Sequence, residues 1–121
     1  MQRAGVRVIM TQHSEDIKAR VIEILKQIYD PEIPINIYDL GLVYSITVRD
    51  RVIEVELGVT SPFCPLAFVI VKQAEKALQE AFPDMEVRVK LNLENLWDPS
   101  RMTEEGRRMF KELYGYDPLS R

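Results

Sequence analysis

Cys64 is the residue best placed to do chemistry in this 121-residue chain. It precedes Pro65, and proline suits the first position of a helix, where its missing N–H costs nothing. Cys64 would then be the N-cap, its sulfur beside unpaired backbone N–H groups and the positive end of the helix dipole. That setting favours thiolate over thiol, and thiolate is the form that attacks electrophiles and binds metals. Thr60 and Ser61 add hydroxyl donors to the same loop. The competing reading is a small buried hydrophobe, which is how most free cysteines behave; residue types alone leave both open.

A second loop, Asp30 to Gly41, carries the carboxylates Asp30, Glu32 and Asp39 among two prolines and four isoleucines/leucines that must bury something. Asp30 before Pro31 reads as a turn residue that accepts backbone hydrogen bonds. Asp39, before Leu40-Gly41, stays open between a turn and a site. His13 receives no role. Trp97 beside Asp98-Pro99 reads as a core anchor rather than a stacking platform, because no basic patch surrounds it. One cysteine and one histidine cannot form a Cys/His zinc site within one chain, and no phosphate-cradling glycine loop is present.

The elements that must hold these loops follow from periodicity. Ser14 is a candidate N-cap, with Glu15 and Asp16 against the positive helix end and Ile17, Val21, Ile24, Leu25 and Ile28 on one face. That helix should stop near Tyr29, since Pro31 disfavours helical geometry at Asp30. Residues 1–13 read as a tail and 14–121 as one domain. Val43–Val48 and Val52–Leu57 are strand patterns joined by Arg49-Asp50-Arg51, an antiparallel hairpin, with Gly58 a plausible bulge. Pro65 opens a helix to about Ala81, with Leu66, Val69, Ile70, Gln73, Ala74, Ala77, Leu78 and Phe82 on or near its inner face. Met85–Leu93 alternates cleanly as a third strand. Thr103 caps a last helix with Met109, Phe110 and Leu113 on one side and Gly115 at its end. The order α-β-β-α-β-α predicts an α+β two-layer sandwich.

Composition narrows the classes further. The hydrophobic share is 46% and the charged share 29%, an ordinary globular profile that excludes a disordered chain. The net charge of −3 argues against a nucleic-acid-binding module. The longest apolar run, Pro65 to Val71, is far shorter than the roughly 20 residues of a membrane span. A single cysteine and no secretory leader pattern predict a reducing cytoplasm.

Three separated stretches then resemble one family. Asp30-Pro31-Glu32-Ile33-Pro34 with Asn36-Ile37 and Asp39-Leu40-Gly41-Leu42-Val43-Tyr44 is similar to the opening of the SufT/PaaD-like iron–sulfur cluster assembly domain. Thr60–Ala67 resembles that family's cysteine loop, and Trp97–Arg107 its ending, although Asp98 follows the tryptophan and Gly106 stands where the family usually has alanine. The resemblance implies a fold like the C-terminal scaffold domain of NifU proteins. It implies a non-enzymatic role in maturing iron–sulfur proteins as carrier, adaptor or targeting factor. In this reading Cys64 is the functional cysteine and a metal ligand, and Asp39, Thr60, Ser61 and Pro65 support it. One thiolate per chain predicts a transient iron–sulfur cluster shared with a second copy, as a homodimer, or with a client protein. Assembly proteins and client apo-proteins are the expected partners. The alternatives are a PaaD-like adaptor in maturing a multi-subunit oxygenase, and a thiol enzyme with Cys64 as nucleophile, which lacks an evident general base.

Overall fold

The computed structural model describes residues 2–60 and 67–119, with side chains from Ser14 onward. Helix α1 spans Gln2–Leu25, the turn-like helix α2 Ile37–Leu40, strands β1 Val43–Arg49 and β2 Val52–Leu57, helix α3 Ala67–Ala81, strand β3 Glu86–Leu91 and helix α4 Glu104–Tyr114. A single 3-10 turn, Pro99–Arg101, precedes α4. The α+β order read from the sequence is therefore present, with α2 and the 3-10 turn added inside segments expected to be loops.

The sheet runs β1-β2-β3. The β1–β2 hairpin is antiparallel, as its short polar turn required, and β3 returns parallel to β2 after the α3 crossover. Helices cover one face. On that side β2 contributes Ile53, Val55 and Leu57, none more than 1% exposed, and they meet Val21 and Leu25 of α1 and Ala74 and Leu78 of α3 in one core. Burying a single such aliphatic side chain contributes about 1.5–3 kcal/mol, so this layer dominates the stability of the domain. The opposite face is charged, with Glu54 of β2 flanked by Arg88 at 3.9 Å and Lys90 at 3.6 Å.

Several local expectations need correction. Ser14 is not a cap: nothing between Gln2 and His13 is a proline, and α1 runs straight through Ser14. The helix ends at Leu25 rather than Tyr29, tightening into i→i+3 bonds from Gln27 N–H to Ile24 O and Ile28 N–H to Leu25 O. The irregularity in the sheet is not at Gly58. It falls between Val43 and Ser45 of β1, at Tyr44. Gly58 answers a different need, because a Cβ there would lie 2.1 Å from Cζ of Tyr44. On α3, Val69 and Gln73 face outward, and the inner row is Ala67, Ile70, Ala74 and Leu78, a narrower stripe than expected. Leu113 of α4 is also exposed, while Met109 and Phe110 pack against the core.

Candidate functional site

Thr60 and Ala67 are the described residues on either side of the cysteine stretch. Thr60 follows the last residues of β2, half-buried beyond the buried Val59, and Ala67 begins α3. Ser61, Cys64 and Pro65 lie outside the described residues. What the structure defines is the corner built from the other two sequence stretches, Asp30–Tyr44 and Trp97–Arg107.

Asp30 forms the first corner. Its carboxylate accepts the backbone N–H groups of Glu32 at 3.0 Å and Ile33 at 2.8 Å, the turn role expected of an Asp-Pro pair. Tyr29 and Asn36 then bridge the neck of the loop, and Ile37 N–H donates to Ile28 O at 2.8 Å. Ile35, Ile37 and Leu40 are wholly buried, so the loop is pinned to the core by its own apolar residues. Burial of the Asp30 carboxylate pushes its pKa above the ordinary 3.8; the two N–H bonds pull the other way without cancelling it, and Glu32 adds to the rise.

Asp39 is the hub. Asn36 caps α2 by accepting Asp39 N–H at 2.8 Å, and its amide donates back to Asp39 Oδ2 at 2.9 Å. The remaining oxygen, Oδ1, accepts the Thr103 hydroxyl at 2.7 Å, and Asp39 O accepts Thr103 N–H at 3.0 Å. Thr103 in turn caps α4 by accepting Gly106 N–H at 3.0 Å. One buried carboxylate thus joins two helix starts, through a contact between residues 64 positions apart. Gly106 is required for this contact: a Cβ there would sit 2.0 Å from Asp39 O. Gly106 is the place where α4 touches α2.

The segment between β3 and α4 is strapped across the same corner. Trp97 donates its indole N–H to Leu40 O at 2.6 Å, the anchoring role expected of it. Gly41, at φ +87°, ends α2, and a Cβ there would meet Arg101 O at 2.2 Å. The Arg101 guanidinium lies 4.0 Å above the Tyr44 ring, and the Tyr44 hydroxyl donates to Asn95 O at 2.7 Å. Tyr44 also rests on Gly58, and Gly58 N–H donates to Leu42 O at 2.7 Å. The strap therefore reaches the strand end from which the cysteine loop departs.

Asn36, Thr103, Gly106, Tyr44 and Arg101 were not read as site-forming from the sequence. Asn36-x-x-Asp39 was the one available signal, since a reciprocal cap has that spacing. The rest depend on contacts distant along the chain. Among the described residues no group of three or more His, Cys, Asp or Glu side chains could hold a metal ion.

The model of the iron–sulfur cluster assembly protein family matches residues 18–91, more than half of the chain. The chain belongs to the iron–sulfur cluster assembly protein family. The chain is similar to an Fe-S protein maturation auxiliary factor of Porphyromonas gingivalis, 36% identical over 95 residues that cover 78% of this chain and 87% of that protein. It is also similar to the Fe-S protein maturation auxiliary factor SufT of Staphylococcus aureus, 36% identical over 75 residues, 60% of this chain and 78% of the relative. A solved domain from Bacillus anthracis, described as a domain of unknown function, superposes with a TM-score of 0.74 at 27% identity, covering 82% of this chain and 95% of that one. The iron–sulfur assembly resemblance and the α+β architecture both stand. The family match ends at the last residue of β3, so the strap and α4 lie beyond it.

Proposed function

We propose that this chain is an iron–sulfur protein maturation factor that passes a cluster, as cargo, to client proteins through Cys64 without catalysing a reaction of its own. The observation that carries the reading is 36% identity to a maturation auxiliary factor along most of both chains. Chemistry supports it. Cys64 stands three residues before Ala67, the start of a 15-residue helix whose leading N–H groups favour a thiolate nearby. The chain has no second cysteine, so the remaining ligands of an iron–sulfur cargo come from a client, small thiols or another copy. Asp39 supports the site as part of its frame: both carboxylate oxygens are taken by Asn36 and Thr103. Thr60 and Ser61 bring hydroxyl donors to the sequence just before Cys64, and Pro65 follows it. The site works in a reducing cytoplasm. No described helix is long and apolar enough to cross a membrane.

Cys64→Ser tests the reading. Serine differs from cysteine by one atom of similar size, so melting should show a loss of no more than roughly 1 kcal/mol. A serine hydroxyl does not supply a soft anionic ligand at neutral pH, so complementation of an iron–sulfur client enzyme should fail. A destabilised but still active variant would overturn the role of Cys64.

A further inference from the structure

The sheet has two edges, and they differ. The β1 edge is disrupted at Tyr44, and the strap is fastened beside it through the bond from the Tyr44 hydroxyl to Asn95 O. Such irregularities blunt an edge against further pairing. Strand β3 has no comparable protection among the described residues. Glu86 N–H donates to Arg51 O and Asn92 N–H to Leu57 O, so the even-numbered residues of β3 turn their backbone groups toward β2. Alternation then points the N–H and C=O groups of Val87, Val89 and Leu91 outward. These three side chains are also only half-buried on the helix-covered face, whereas Ile53, Val55 and Leu57 beside them are sealed.

We propose that β3 pairs antiparallel with β3 of a second copy, about a two-fold axis at Arg88, joining the two three-stranded sheets into one. The backbone parity allows this register: Val87 and Val89 of the partner subunit exchange backbone hydrogen bonds, and their side chains meet on the apolar face. On the charged face the same register sets Glu86 opposite Lys90 of the partner subunit, twice by symmetry. Arg88 meets its own copy at the axis, but each guanidinium already has Glu86 and Glu54 of its own chain beside it. A shift of the axis to Val89 would instead oppose Arg88 with Lys90 of the partner subunit. The occupant is therefore a second copy, specified by an open edge, an unsealed apolar row and a self-complementary run of charge. This pairing is independent of the maturation reading and of Cys64.

Sedimentation of the full chain over a concentration series tests it, with circular dichroism confirming that each variant folds. Wild type should dimerise. Glu86→Lys and Lys90→Glu, each turning two attractive pairs into repulsive ones, should weaken the dimer about tenfold, and the double exchange should restore it. Amide exchange at Val87 and Val89 should slow as concentration rises, while Arg88 stays protected throughout. A monomer at every concentration, a dimer indifferent to the single reversals, or a double variant no better than the singles would each overturn the proposal. Because the readout is mass and not client maturation, its failure leaves the function of Cys64 untouched.

Discussion

A glycine in a helix interior normally costs about 1 kcal/mol against alanine. At Gly106 that rule reverses, because the helix is pressed against the Asp39 carbonyl, where a Cβ would stand 2.0 Å from oxygen. Gly106→Ala should therefore lose about 1–3 kcal/mol in chemical denaturation, an overpacking penalty larger than the propensity gain. A more stable variant would show that α4 does not sit on α2 as described. Asp30 makes a second residue-level prediction, with a sign set by burial. Its pKa is raised above 3.8 in the folded chain, so the native state holds the proton more tightly than the unfolded one. That contribution is full at low pH and lost as pH rises from 3.8 through the raised value. Asp30→Asn keeps an acceptor for Glu32 and Ile33 N–H without the buried charge. It should be no less stable than wild type at pH 7, and should lose the wild-type decline across that window. An unchanged pH profile of unfolding free energy would rule this out.

The Asp30–Gly41 loop, α2, the strap and the start of α4 form one hydrogen-bonded assembly, and its parts were unequally visible in the sequence. Trp97 as an anchor, Asp30 as a turn and Thr103 as a cap were legible because each depends on neighbours within a few residues or on composition. The hairpin and β3 were legible from alternation of polar and apolar residues. Tyr44 as the point of irregularity was not, because its ring packs on Gly58, just past the end of β2 and distant along the chain. The outward turn of Val69 was hidden likewise: three apolar residues in a row, Val69 to Val71, do not tell which one a helix will bury. Thr60 and Ala67 bound the cysteine loop, whose Ser61, Cys64 and Pro65 lie outside the described residues. The strap itself is testable. Trp97→Phe retains the ring but loses the bond to Leu40 O, and should cost about 1 kcal/mol. It should also raise proteolytic cleavage between β3 and α4; a variant matching wild type in both would mean the strap is held elsewhere.

Across the molecule, β2 is the strand flanked on both sides and sealed on its inner face, so its amides belong to the last region to open. Hydrogen exchange should be slowest at Ile53 to Leu57 and appreciably faster along the strap; protection that is even across both would contradict a single core centred on β2. The long reach between Asp39 and Thr103 also has a consequence for biosynthesis. A nascent chain that has emerged only as far as β3 has all its strands and both large core helices. It lacks the threonine that satisfies Asp39, the indole that fastens Leu40 and the arginine backbone that closes over Gly41. A carboxylate buried with one oxygen unpaired is costly, so the Asp30–Gly41 loop stays unlocked until the ribosome has delivered the final helix. The stretch that defines family membership is thus completed, as a folded object, by residues outside it.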